Sequence, residues 1–173
     1  MNFETSKYLI ICNNLIEKNL FISFCDKFHS EFHLIDEFFH IDYPQLIINL
    51  VTKPQIDIIA KTKGTSYKNV DVPTSLNGFS TFQEVYVVQP NENNLYDTYK
   101  TALHEVVHLI SYHLSTKKKR IKLLDEGIAI YLSNQYEGHT FSPWVNAYLK
   151  NTLPNFNDFC TYDSLQFGKK RWL

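Results

Sequence analysis

Apolar positions along this chain recur with two periods, and the switches between them mark out its elements. The run KYLIICN, residues 7–13, is short, apolar and bounded by polar residues, which predicts a strand. Leu15, Ile16, Leu20, Phe21, Phe24, Phe28, Phe32, Ile35 and Phe39 then follow at spacings of three and four. That period predicts a long amphipathic helix covering a sheet. QLIINLV, residues 45–51, predicts a second strand stopped by Lys53 and Pro54, and QIDIIAKT a short helix running to Gly64. Residues 64–78 are dense in turn formers and read as a loop. FQEVYVVQ, residues 82–89, is rich in β-branched residues and predicts a third strand ended by Pro90.

The second half changes character. Asn94 is placed to cap a helix whose first turn carries Asp97, an acid at the positive end of the helix dipole. The helical period runs from there to Ser115, with Tyr99, Leu103, Val106, Val107, Ile110 and Leu114 on one face. LLDEGIAIYLSNQYEG predicts a further helix stopped by Gly138, and a shorter one is expected between Pro143 and Lys150. The order β-α-β-α-β-α-α-α predicts an α+β domain, a small mixed sheet backed by a long helix. One domain accounts for all 173 residues, with a sheet-containing part over 1–92 and a mostly helical part over 93–173.

Composition narrows the function classes. A formal net charge of -1 gives no electrostatic footprint for nucleic acid. The one basic run, Lys117 to Arg120, reads as a solvated loop. Cys12, Cys25 and Cys160 are far apart and odd in number, which fits neither a disulfide framework nor a thiolate metal site. The first residues lack the basic and apolar regions of a signal peptide, and no apolar run approaches membrane-spanning length, so a cytoplasmic location without membrane contact is expected. There is no G-x-S-x-G, and Cys160 has no obvious catalytic partner.

The chemistry concentrates in TALHEVVHLI, residues 101–110. On a helix, His104 and His108 lie about 40° apart around the axis and one turn apart along it, so both imidazoles point the same way. Two imidazoles on one face can share a Zn²⁺, and Glu105, about 100° round, flanks such an ion without being its obvious ligand. A carboxylate there can take a proton from zinc-bound water, the mechanical content of H-E-x-x-H. The bland alternative is a polar pair on the solvent side of a helix. A catalytic zinc takes three protein ligands. His113 lies about 180° round from His104, with no glycine to break the helix before it, and is expected to be a surface or structural residue. Glu126 is the better third ligand. It follows His108 by 18 positions, sits at a helix start, and has apolar residues on both sides. Small Gly127 and Ala129 are expected to let its helix approach the histidine helix closely.

HEVVH followed by DEGIAIY resembles the gluzincin metallopeptidases, over roughly residues 95–135. LPNF, residues 153–156, adds a likeness to the small peptidase-MA and minigluzincin domains. The resemblance implies a zincin-like fold, one catalytic Zn²⁺ on His104, His108 and Glu126, and Glu105 as general base. It also implies that the 82–88 strand is the sheet edge lining the cleft, where an extended peptide can add by main-chain hydrogen bonds. Gluzincins often stabilise the oxyanion with a Tyr or His beyond the third ligand. We assign Tyr162 to that role, with Tyr148 and His139 left open. Tyr131 is expected to pack in the core. Thermolysin-like members carry an Asp four residues after the third ligand to orient a histidine, where this chain has Ile130; Asp125 is a weak substitute. The expected function is zinc-dependent hydrolysis of peptide bonds in a peptide or protein substrate. The alternative is a weakly active or inactive zincin-like module that only binds a peptide or partner.

Overall fold

The computed structural model describes residues 1–64, 72–114 and 122–135. The Lys117–Arg120 run, the helix expected after Pro143, Cys160, His139, Tyr148 and Tyr162 lie outside the described residues. Five strands and four helices follow in the order β1 (Asn2–Glu4), β2 (Tyr8–Cys12), α1 (Lys18–Phe39), β3 (Leu46–Val51), α2 (Lys53–Lys63), β4 (Gly78–Ser80), β5 (Glu84–Val88), α3 (Leu95–Leu114) and α4 (Lys122–Leu132). The chain is therefore α+β with one mixed sheet, ordered β1-β2-β3-β5-β4. The three inner strands run parallel, and the short outer strands β1 and β4 are antiparallel to their neighbours.

Side chains alternate across each strand, so the sheet has two faces of different make-up. Tyr8, Ile10 and Cys12 of β2, Leu46, Ile48 and Leu50 of β3, and Val85 and Val87 of β5 enter one core. Helices α1 and α3 close that core with Phe21, Phe24, Phe28, Phe32, Ile35, Tyr99, Leu103 and Val107. On the other face, Ile56 and Ala60 of α2 cover Val51, Phe79 and Tyr86. Pro54 initiates α2 rather than merely ending β3, and Gln55 Oε1 reaches back 2.9 Å to the Thr52 amide.

Several expectations change. Leu15 is 99% exposed and precedes α1, because the chain is still extended at Glu17 and the helix starts at Lys18. Strands β1 and β4 were not visible in the pattern, since three residues show no periodicity. Gly78, read as loop, opens β4. The 82–88 strand is not the sheet edge: β5 is hydrogen-bonded to β3 on one side and β4 on the other. Helix α4 ends six residues before Gly138. Asn134 adopts a left-handed φ of 54° there. Its amide bonds Tyr131 O at 3.1 Å, while Gln135 N bonds Ile130 O at 3.1 Å, a paired cap that asparagine tolerates. Leu114, at the last turn of α3, is exposed. Tyr131 is also exposed and lines a groove with Leu34 and Phe38 instead of filling the core. Among the described residues, no helix is long and apolar enough to cross a membrane.

Candidate metal centre

Helix α3 begins from a tight asparagine turn. Asn91 Oδ1 accepts the amides of Asn93 and Asn94, and Asn94 Oδ1 accepts the amide of Asn91 at 2.6 Å. The Asn94 side chain thus ties down the turn ahead of the helix, while its carbonyl accepts the first helical bond from Thr98. The helix then packs against α1, β4, β5 and α4. Residues 106–110 are all buried as a result, His108 among them at 9% exposure. A histidine pair on the solvent side of a helix would not look like this.

The i, i+4 spacing brings the two imidazoles edge to face, ring centroids 4.7 Å apart. Their Nε2 atoms stand 3.0 Å from each other. Helix α4 delivers the third group. Asp125, Ala129 and Leu132 form its buried stripe, which turns Glu126 toward the histidines. Glu126 Oε2 lies 3.5 Å from His104 Nε2 and 3.6 Å from His108 Nε2. Ligand atoms ~2.0–2.1 Å from a tetrahedral zinc stand ~3.3 Å from one another. The three separations, 3.0, 3.5 and 3.6 Å, bracket that edge length. Two neutral-imidazole nitrogens and one carboxylate oxygen are also a donor set zinc accepts. His104, His108 and Glu126 therefore fit the ion. Among the described residues they are the one group of acids, histidines and cysteines close enough together to hold a metal.

Behind this triangle, Asp125 Oδ2 lies 3.1 Å from His108 Nδ1, with both groups buried. Asp125 is the polar member of an apolar stripe, and such a group is tolerated only when bonded. Nδ1–H donating to Asp125 leaves Nε2 as the free lone pair, which is the tautomer a metal on Nε2 needs. Sequence reasoning named Asp125 only weakly. The available signal was its adjacency to Glu126, which lets one helix start supply both a ligand and the carboxylate behind a ligand. Ile130, the position where thermolysin-like enzymes place that Asp, is partly exposed on α4.

The electrostatics follow from burial and these contacts. Burial pushes the His108 pKa down, but Asp125, Glu126 and the nearby charge of Glu105 overcome it and raise the pKa to about 10. Burial pushes Glu126 up, yet the two imidazoles hold its carboxyl well below the ordinary carboxylate range. Without metal the cluster is thus an imidazolium clasped by carboxylates. His104 is less supported: its Nδ1 is buried with no hydrogen-bond partner among the described residues.

Glu105 is half-buried and outside the ligand triangle, with its charge felt at His108. His113 is exposed near the end of α3, away from the cluster. Gly127, expected to ease the approach of α4, has nothing among the described residues within 4 Å of where its Cβ would stand; buried Ala129 is the small residue at the contact. A scan against protein-family models finds no match. A search of curated proteins likewise finds no relative.

Proposed function

We propose that this chain is a small zinc-dependent hydrolase of peptide bonds with a zincin-like arrangement of its α+β fold. The observation that carries the reading is the convergence of His104, His108 and Glu126 at separations suited to one tetrahedral ion. The buried Asp125 behind His108 supports it, since ligating histidines almost always donate their other N–H to such a partner.

In this reading His104 Nε2, His108 Nε2 and Glu126 Oε2 hold the ion. Bound zinc supplies Lewis acidity to a carbonyl oxygen and lowers the pKa of a water in the site. Glu105 accepts a proton from the attacking water and returns it to the departing amine. Asp125 keeps His108 in the Nδ1–H tautomer throughout. Strand β4 lies next to α3 at the end of the described sheet, where an extended peptide could add by main-chain hydrogen bonds.

The test is metal analysis and peptide cleavage together. Wild type is expected to carry one zinc per chain and to cleave peptides, and His104→Ala to carry none. Glu105→Gln is expected to keep zinc and to lose about a hundredfold or more in kcat. Stoichiometric zinc with no cleavage of a broad peptide library would favour the partner-binding module. Absence of zinc affinity would end the reading.

A further inference from the structure

Gly78 sits at the start of β4, directly over α3. A Cβ built there would lie 2.5 Å from Thr101 Cγ2, 3.3 Å from Glu105 Cγ and 3.4 Å from Tyr86 O. The φ of Gly78 is not in the left-handed region, so space and not backbone conformation demands the glycine. Thr101 and Glu105 are one turn apart on the same face of α3, and Gly78 packs on both.

Neither side of this contact yields easily. Strand β4 is held in register on β5, with Gly78 opposite Val87 and the Val88 amide bonded to Asn77 O at 2.8 Å. Thr101 is β-branched in mid-helix, where its χ1 has few alternatives. Relieving a 2.5 Å carbon contact requires about 1 Å of movement. Since β4 cannot slide along β5 without losing its ladder, the movement lifts β4 away from α3 or displaces the helix face that carries Glu105.

We propose that Gly78 is a positioning residue: by bringing no side chain against α3 at Thr101, it sets the separation between strand β4 and Glu105. The proposal rests on the reading of Glu105 as general base. Strand β4 is where the substrate would lie and Glu105 is the group that would move its protons, so their separation decides whether a bound peptide meets the base. Misplacements of about 1 Å in such a geometry lower rates by about a hundredfold.

Four forms of the zinc-loaded chain test this: wild type, Gly78→Ala, Thr101→Ser and the double variant. Gly78→Ala is expected to keep one zinc and to lose about tenfold to a hundredfold in kcat, with KM within about threefold of wild type. Thr101→Ser deletes the Cγ2 methyl and is expected to stay near wild type alone. The double variant should regain most of the lost kcat, because only the contacts at 3.3 and 3.4 Å remain. Wild-type kcat in Gly78→Ala, loss of zinc along with kcat, or failure of Thr101→Ser to rescue would each overturn the proposal. Metal-free melting gives a second readout: Gly78→Ala should lower Tm, and Thr101→Ser should restore it. If wild type binds zinc but cleaves nothing, the hydrolase reading fails separately. Positioning is then read from acetohydroxamate affinity for the zinc-loaded chain, weakened alike by Glu105→Gln and Gly78→Ala and restored in the double variant. Unchanged affinity in Gly78→Ala would overturn it in that case too.

Discussion

Two helix contacts in this molecule are equally dry and chemically opposite. Where α1 meets the sheet, the buried groups are hydrocarbon and ring: Phe24 stacks on Phe28, Phe28 on Phe32, and Tyr8 meets the last two edge to face. Where α3 meets α4, Ala129 and Leu132 share the contact with His108 and Asp125. The first contact is stable whatever the pH or metal, because apolar burial needs no partner. The second is stable only while each buried polar group has its counterpart. A fold that needed only to hold α4 in place would do better with leucines there. The polar contact fits the proposed site, and its stability would be conditional on what occupies it.

The largest effect should come from the unconditional region. Phe28→Ala removes a fully buried ring from the stack and should lower stability by about 3–5 kcal/mol in urea unfolding. Saturating zinc should raise the midpoints of wild type and variant by similar amounts, since the ion and the ring are in separate regions. A deficit that zinc abolishes would mean the two regions are one.

The conditional region should reveal itself through pH. In the metal-free chain the His108 pKa is raised above its ordinary 6.5 to about 10. Its contribution to stability is therefore complete below about pH 6.5 and is lost as pH climbs toward 10. Glu126 has the opposite sign: held below its ordinary 4.5, it contributes above that pH and its contribution is lost as pH falls. Zinc should reverse the alkaline trend. Binding must expel the His108 proton, so affinity should rise about tenfold per pH unit up to about pH 10. Melting curves at about pH 6, 8 and 10, with chelator and with zinc, check this. Parallel curves would show that the metal does not replace that proton.

A smaller effect separates the ligand from the group behind it. Asp125→Asn leaves all three ligand atoms in place and removes the charge at 3.1 Å from His108 Nδ1. Zinc affinity should fall about 10–100-fold, read by competition with a chelating dye. Unchanged affinity would make Asp125 a residue of the helix contact alone.

The two regions also differ in how far the sequence discloses them. The α1 stripe, with Phe24, Phe28 and Phe32 four apart, predicts its own burial, because helical period and apolar character carry the same message. The proposed histidine ligands were legible for a different reason: H-E-x-x-H compresses two imidazoles and a carboxylate into five positions of one helix. What the sequence hides is pairing across elements. Strand β4 is three residues long, so nothing in GFS marks it as the strand beside the site. The short reach of Gly78 over Thr101 and Glu105 depends on that pairing and is invisible before it. Asp125 was ambiguous because an acid at a helix start is already favoured by the dipole, so its second role leaves no separate trace. No longer stretch of the chain adds independent support to the motif, since no family or relative matches it.

The smallest predicted effect concerns Gly127, where sequence and structure give opposite signs. Read from the sequence, Gly127 lets α4 approach α3, so a methyl there should push the helices apart and weaken zinc binding. Among the described residues a Cβ at this position meets nothing within 4 Å, and Gly127 lies within α4 on its exposed side. A glycine so placed only adds freedom to the unfolded chain, and alanine should stabilise the protein by about 0.5–1 kcal/mol. Zinc affinity should stay at the wild-type value, because Glu126 is held from the opposite side by Ala129 and Leu132. Urea unfolding of Gly127→Ala with and without zinc measures both quantities. A loss of affinity at unchanged or higher stability would show that the exposed side of α4 also serves the site, and the division between a dry contact and an open outer face would have to be redrawn.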